Sequence, residues 1–302
     1  MVVETRLLQQ FVAVAEALHF RRAAEKLHMA QPPLSQAIRR LEDELGYALF
    51  ERTNRSVALT PAGSAFLTDA RSILAAIDKS IARTRRVAQG IEGHLTLTFI
   101  NIVHYPPLLQ ALRKMRLASP NVSFTMKEAT THEQVGALER GDADIGFMRT
   151  PGTTAPNLCF ESILREPVCV VLPAGHRLQT LASIPLVQLK DDPFVASSRP
   201  LGQGFHDQMI RLCQAAGFEP DIVQHARQLH TVIALVASGF GIALMPASIA
   251  MAARDDIVFR PLAVDVDDDL KHLDLMMAWH TGRASPIRDR LIAEVRQAMP
   301  LR

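Results

Sequence analysis

Phe20-Arg-Arg-Ala-Ala-Glu-Lys-Leu-His-Met-Ala-Gln-Pro-Pro-Leu-Ser-Gln-Ala-Ile-Arg-Arg-Leu-Glu-Asp-Glu-Leu-Gly46 decides the fold of the first part of the chain. Ala23, Ala24 and Leu27 form the inner side of a short helix, and the small alanines let another helix cross closely. His28-Met-Ala-Gln31 turns the chain toward Pro32 and Pro33, either of which suits the first turn of a helix, where a missing N–H costs nothing. Leu34, Ile38, Leu41 and Leu45 repeat at helical spacing, and Gly46 closes that helix as a C-cap. Upstream, Leu7, Leu8, Phe11, Val12, Ala15 and Leu18 mark an earlier amphipathic helix. Short helices, a tight turn and a helix with a polar leading edge make a helix-turn-helix.

The leading edge offers Gln31, Ser35, Gln36 and Arg39, with Arg40 one position on; Arg22 and Pro32 complete the candidate duplex-facing set on these helices. Gln can pair with an adenine edge, Arg with guanine or phosphate, and Ser with either. Helix N-termini add backbone N–H groups for phosphate. After Gly46, the run Phe50 to Leu59 alternates apolar and polar at Val57 and Leu59, which predicts a short β-hairpin with Arg52, Thr53, Asn54, Arg55 and Ser56 at its tip. Such a tip is a wing that reaches the DNA backbone or minor groove, and Arg52, Thr53 and Arg55 join the candidate contacts. For any single Arg here, a solvated surface is the competing reading.

The chain has 302 residues, 48% of them hydrophobic and 21% charged, which excludes disorder as its main state. Residues 1–90 carry 13 Lys and Arg against 9 Asp and Glu, a net of +4, whereas residues 91–302 carry 20 against 22. The positive excess is local to the N-terminal part, as expected of a polyanion-binding module joined to a neutral one. Cys159, Cys169 and Cys213 form no C-x-x-C pair and read as thiols of a reducing compartment. The N-terminus lacks the basic-then-apolar order of a signal peptide, and no uncharged apolar run approaches the ~18 residues of a membrane span. A soluble cytoplasmic protein without membrane partners is expected.

Thr60-Pro61 starts a long helix, with Thr60 as N-cap and Pro61 in its first position. Phe66, Ala70, Ile73, Ile77, Ile81 and Ala88 line one face at near-heptad spacing. A helix over 61–89 extends about 43 Å and cannot bury that stripe against sixty residues alone, so it reads as a linker that pairs with a second copy.

Phe11-Val-Ala-Val-Ala-Glu-Ala, Arg22-Ala-Ala-Glu-Lys-Leu-His, Gln31-Pro-Pro-Leu-Ser-Gln, Leu41-Glu-x-Glu-Leu-Gly, Leu49-Phe-Glu-Arg and Leu59-Thr-Pro-Ala-Gly63 together resemble LysR-type transcriptional regulators. The resemblance spans the whole chain and is most specific over residues 5–65. Arg21 departs from it, because the family often has a Ser or Thr there that caps the second helix.

From Gly93, strands alternate with helices: strands at 95–100, 122–126, 144–148, 168–172, 193–196, 222–224, 241–245 and 273–279, and helices at 105–118, 131–140, 203–216, 229–238, 246–253 and 285–298. Alternation of this kind implies parallel sheets covered by helices, and strands this short fit two small α/β lobes with crossovers near 160–167 and 265–271. The expected fold class is α/β with an N-terminal all-α winged helix-turn-helix. The expected division is a DNA-binding domain at 1–60, a linker and dimerisation helix at 61–90 and an effector domain at 91–302. Its lobe I spans about 91–163 plus 268–302, and lobe II about 164–267. Gly141-Asp-Ala-Asp-Ile-Gly146, Glu166-Pro-Val-x-Val-Val-Leu-Pro173 and Gly239-Phe-Gly-Ile-Ala-Leu-Met-Pro246 resemble the effector domain of the same family, itself similar to periplasmic solute-binding proteins.

In open α/β sheets, ligands sit beyond the carboxyl ends of strands and next to helix N-termini. The residues at those places are Asn101, Ile102 and His104 after the first strand, Thr130 and Thr131 before a helix, Arg149 ending a strand, and Ser198, Gly202, Gln203 and Phe205 in the other lobe. Hydroxyls, helix N-termini and an Arg fork favour an anion, with Phe205 and Ile102 as apolar walls. Arg149 reads equally as a structural salt-bridge partner. The resemblance places Thr131, Arg149 and Phe205 at effector-contacting positions, and Asn101 and Ile102 where small residues often lie. A small organic acid is the expected effector, with aromatic acids among the candidates.

No H-E-x-x-H, zinc-spaced Cys/His set, G-x-S-x-G or G-x-x-x-x-G-K-[ST] occurs, and Asp265-x-Asp-Asp-Asp269 reads as a charged connector rather than a metal site. His225 and His230 read as surface or capping residues. No cofactor is expected. The partners that the resemblance implies are double-stranded promoter DNA, further copies of the chain as a dimer of dimers, RNA polymerase and the organic acid. The competing classes are a cytoplasmic solute-binding protein without DNA activity and an enzyme using His104 or Cys213.

Overall fold

Four phenylalanines organise the first part of the chain. Phe11 lies on helix α1 (Thr5–Ala17), Phe20 opens α2 (Phe20–Lys26), Phe50 opens strand β1 (Phe50–Arg52) and Phe66 lies on the long helix α4 (Pro61–Ala88). Phe11 is fully buried, with its ring centroid 5.4 Å from that of Phe50 and 5.0 Å from that of Phe66; Phe20 meets Phe50 at 5.9 Å. Tilted and edge-on pairs of this kind add to the apolar burial of each ring. Helix α3 (Gln31–Leu45) contributes the expected buried stripe of Leu34, Ile38 and Leu41. Strand β2 (Val57–Leu59) pairs antiparallel with β1, forming the expected hairpin.

The computed structural model describes residues 3–53, 56–101, 104–252 and 254–300. The chain divides into two units, Met1–Arg86 and Val87–Arg302. Asn54 and Arg55 of the hairpin tip, and Ile102 and Val103, lie outside the described residues.

The local signals of the first unit act as read. Gly46 caps α3 at φ +77°, a left-handed conformation that glycine adopts without a Cβ clash. Thr60 Oγ1 accepts from Gly63 N at 2.8 Å and donates to the Ala48 carbonyl at 2.8 Å. Helix α2 uses a different cap from the one at issue: His19 Nδ1 accepts from Arg22 N at 3.4 Å, while Arg21 lies inside the helix and pairs with Glu25. Beyond Ala70, α4 leaves Ile73 and Ile81 about half exposed.

In the second unit, β3 (Glu92–Phe99) pairs in parallel with β4 (Asn121–Glu128) and β5 (Ile145–Arg149). Helices α5 (Pro106–Ala118), α6 (Thr131–Arg140) and α10 (Pro286–Ala298) belong to the same lobe. The other lobe holds β7 (Ile184–Pro185), β8 (Pro193–Ser197), α7 (Gln203–Ala215), β9 (Asp221–Ala226), α8 (Leu229–Ala237), β10 (Ala243–Pro246) and β11 (Ile257–Ala263). Strand β6 (Leu158–Pro173) serves both lobes. Its first part pairs antiparallel with β12 (His272–His280), and its last residues pair antiparallel with β10 and β11.

The sheets are therefore mixed, which corrects the parallel sheets expected from the alternation. A chain that crosses from one lobe to the other and returns runs in opposite directions on the two passes, so β6 and β12 lie antiparallel. The segment near 160–167 is strand rather than loose connector, and the helix expected at 246–253 is a 3₁₀ helix over Ala247–Ala252. The carboxylates near 265–269 do act as a charged connector: Arg165 pairs with Asp268 at 3.2 Å and Asp269 at 2.6 Å beside the short helix α9 (Asp268–Lys271).

Gly63 makes the closest backbone approach of the first unit, since a Cβ there would lie 2.0 Å from the Leu49 carbonyl oxygen. Gly63→Ala must shift α4 from the hairpin, and overpacking of this kind costs about 1–3 kcal/mol. Urea denaturation followed by far-ultraviolet circular dichroism should show a lowered midpoint; an unchanged midpoint would contradict this packing.

Candidate functional site

Five cations of the first unit are held by its own carboxylates. Arg21 pairs with Glu25, Lys26 and Arg71 with Glu16, Arg40 with Glu44 and Glu4, and Arg52 with Glu42 at 2.5 Å. Glu42 also accepts from Leu49 N at 2.9 Å and Phe50 N at 3.1 Å, and the Arg52 guanidinium stacks 4.9 Å from the Phe20 centroid. The structure thus ties Arg52 into the join between α3 and the hairpin. Thr53 Oγ1 and Ser56 close the hairpin turn at 2.9 Å.

By contrast, Gln31, Ser35, Gln36 and Arg39 on α3 and the Arg22 side chain on α2 have no side-chain partner among the described residues. Gln31, Pro32, Gln36, Arg39 and Arg22 are exposed, and Ser35 is half-buried. They form a row of unspent donors and acceptors at and after the α3 N-terminus, opposite its buried Leu34-Ile38-Leu41 stripe.

In the second unit, a cleft of about 700 Å³ of atom-free space, partly open to solvent, lies between the lobes. It is lined by Asn101, Thr130, Thr131, Arg149, Ser198 and Phe205, which the sequence reading selected. Gln203 does not line it; its side chain packs where a Cβ on Gly152 would stand, 2.8 Å away. Glu128, Arg227, Gln228, Leu229 and Pro246 line the cleft and were not anticipated. Only their position at strand ends and helix starts could have indicated them. Three helix N-termini meet the cleft, those of α6 at Thr131, α7 at Gly202 and α8 at Gln228.

Local chemistry explains how these side chains are set. Thr130 and Glu133 form a reciprocal capping box on α6, which commits the Thr130 hydroxyl, while Thr131 sits buried in the first turn. Gln134 Nε2 donates to the carbonyls of Ala129 at 3.0 Å and Phe147 at 3.1 Å, clamping β4 and β5 where they enter the cleft. Arg149 makes a buried salt bridge: its Nη2 donates to Glu166 Oε1 at 2.7 Å and to Tyr105 Oη at 2.5 Å. Tyr105 Oη donates to Glu166 Oε1 at 3.0 Å, and Ser248 N donates to Glu166 Oε2 at 2.7 Å. The salt-bridge reading of Arg149 is met, and Nη1 of the same guanidinium is buried without a hydrogen-bond partner.

Burial alone would raise the Glu166 carboxyl, but the Arg149 charge and the Arg149 and Ser248 hydrogen bonds outweigh it and hold Glu166 below the usual carboxylate range. Burial pushes the Tyr105 hydroxyl up to about 12. His104 and His230 stack at 5.2 Å; burial, helped by His230, lowers the His104 ring below its ordinary value, while His230 itself is exposed in the first turn of α8, as expected. Arg227 pairs with Glu133 of the opposite lobe at 2.6 Å.

Residues 5–64 match the family described as bacterial regulatory helix-turn-helix protein, lysR family, and residues 88–300 match the LysR substrate binding domain. The transcriptional regulator AlsR of Bacillus subtilis is 36% identical over 260 residues, 86% of each chain. The Hca operon transcriptional activator HcaR of Escherichia coli is 36% identical over 298 residues, 98% of each. Among solved structures, full-length CbnR complexed with its target DNA superposes with a TM-score of 0.79 at 29% identity, covering 98% of this chain and 100% of that one. An N-terminal helix-turn-helix, a two-lobed effector-binding domain and similarity over nearly the full length agree: the chain belongs to the LysR-type transcriptional regulators.

Proposed function

We propose that this regulator binds double-stranded promoter DNA through the row Gln31, Ser35, Gln36 and Arg39, with Arg22 and Pro32 beside it. The hairpin carrying Arg52, Thr53 and Arg55 lies against the adjoining backbone or minor groove. The observation that carries the reading is the contrast in pairing: neighbouring Arg21, Lys26, Arg40 and Arg52 are held in ion pairs, while this row is unspent among the described residues. The likeness to CbnR, solved in complex with its target DNA, supports duplex DNA as the partner. The exposed Ile73 and Ile81 on α4, with Ile77 between them, serve as a seam for a second copy, and two such dimers form the working assembly. RNA polymerase is the further partner of a promoter-bound regulator.

The cleft takes a small organic acid. Three helix N-termini and the free Nη1 of Arg149 supply the donors, and Phe205 and Leu229 the apolar walls. Binding there alters DNA occupancy by favouring one assembly over another. Catalysis plays no part in this reading: burial pushes the Cys213 thiol up to about 12, which keeps it protonated, and the buried His104 ring stacks on His230. No cofactor is needed, and the protein acts in the cytoplasm; among the described residues no helix is long and apolar enough to cross a membrane.

Fluorescence anisotropy of the full chain with the DNA upstream of its own coding sequence tests the DNA reading. Gln31→Ala should lose about 1–3 kcal/mol of discrimination at one base position while random duplex binding is retained. Equal losses on specific and random duplexes would contradict base reading. Ile81→Asp should lower the oligomeric state seen by analytical ultracentrifugation, and an unchanged sedimentation coefficient would contradict the seam. Arg149→Lys keeps the charge opposite Glu166 but loses the fork. It should retain DNA binding and abolish the thermal stabilisation that the wild type gains from a panel of aliphatic and aromatic carboxylic acids; retained stabilisation would remove Arg149 from the site.

A further inference from the structure

The charge balance of the cleft does not match a plain carboxylate. Each of its two arginines is already neutralised, Arg149 by Glu166 and Arg227 by Glu133. Glu128, exposed at the end of β4, lines the same space and has no ion-pair partner among the described residues. The cleft therefore holds one unspent carboxylate and no unspent Arg or Lys. Two of the buried polar atoms without partners belong to residues that line the cleft. Arg149 Nη1 is a buried donor lacking an acceptor, and Asn101 Oδ1 is a buried acceptor lacking a donor. Buried polar atoms without partners are costly, so a ligand that satisfies both gains more than one that satisfies either.

Glu128 and Asn101 stand together at the carboxyl edge of the lobe. Phe99 pairs in register with Glu128, and Ala129 N donates to the Phe99 carbonyl at 3.0 Å, two residues before Asn101. Asn101 itself is held at φ +33°, an uncommon conformation for a residue with a side chain, and a feature that recurs at ligand sites. Arg149 enters from the adjacent β5, where Ile100 N donates to the Phe147 carbonyl at 3.0 Å. Donor and acceptors thus belong to neighbouring strand ends, and Ile100, Phe205, Leu229 and Pro246 line the remaining space.

We propose that the effector is an apolar α-amino acid: its carboxylate accepts from Arg149 Nη1 and from the Thr131 N–H at the start of α6, its ammonium donates to Asn101 Oδ1 and Glu128, and its side chain meets Phe205 and Leu229. This rests on the reading of the cleft as the effector site and narrows the acid to one carrying an amine. An ammonium supplies three donors and the positive charge that Glu128 lacks, whereas a plain acid places a second negative charge beside Glu128 and leaves Asn101 unpaired.

The test is isothermal titration of the full-length protein with a panel of apolar L-amino acids and with the matched acids in which the amine is replaced by hydrogen or hydroxyl. At least one amino acid should bind ten-fold or more tightly than its deaminated counterpart. Glu128→Gln and Asn101→Ala should each reduce that ratio severalfold, Asn101→Ala by weakening the amino acid and Glu128→Gln both by weakening the amino acid and by relieving the repulsion felt by the deaminated acid. Deaminated acids that bind as tightly as the amino acids, with affinity still lost in Arg149→Lys, would overturn the amino-acid assignment and leave the acid-binding cleft standing. Absence of binding by every compound of both classes would overturn both.

Discussion

One carboxylate holds the second unit in its working geometry. Glu166 sits on β6, the strand shared by both lobes, and accepts from Arg149 at the end of β5, from Tyr105 before α5 and from Ser248 N after β10. Removing one partner of a buried pair costs about 3–5 kcal/mol, because the remaining charge is left uncompensated. The same bond fixes how Arg149 meets the cleft: Nη2 is committed to Glu166 and Tyr105, and Nη1 is left over. The site consequently selects a ligand by the placement of single donors and acceptors rather than by an excess of positive charge.

The first unit follows the same logic on its surface. Glu42 binds two backbone N–H groups of the hairpin and Arg52, so one side chain near the end of α3 sets where β1 begins. The cations around α3 are mostly spent in such local bonds. What remains unpaired, Gln31, Ser35, Gln36, Arg39 and Arg22, is suited to reading an external polyanion. A phosphate that approached Arg52 would compete with Glu42, whereas one that approached Arg39 would meet no competitor among the described residues.

Much of this was legible in the sequence because its signals are local. The Leu34-Ile38-Leu41 period, Gly46 past the end of α3 and Thr60-Pro61 before α4 each report on residues within a turn of themselves. The His19 cap was not legible, since histidine is an unusual cap and Arg21 drew attention to the wrong position. The first half of β6 was obscured by Glu161, Ser162, Arg165 and Glu166, which interrupt its apolar pattern. Each finds a distant partner, namely Arg296, Asp274, the Asp268–Asp269 pair and Arg149. The cleft was half legible for a similar reason: strand ends and helix caps identified Asn101, Thr131 and Arg149, but Glu128, Arg227 and Leu229 converge only once the two lobes have formed. Gln203, chosen for its place at a helix start, packs beside Gly152 instead.

In the proposed function the cleft and the DNA-reading face are two ends of one thermodynamic linkage, and linkage is reciprocal. The most direct measurement is the dissociation constant of the tightest-binding amino acid for the full-length chain, taken once without DNA and once with saturating DNA from upstream of its coding sequence. The account predicts two values that differ severalfold. Two identical values would mean that occupation of the cleft is not sensed at the duplex, and would contradict it.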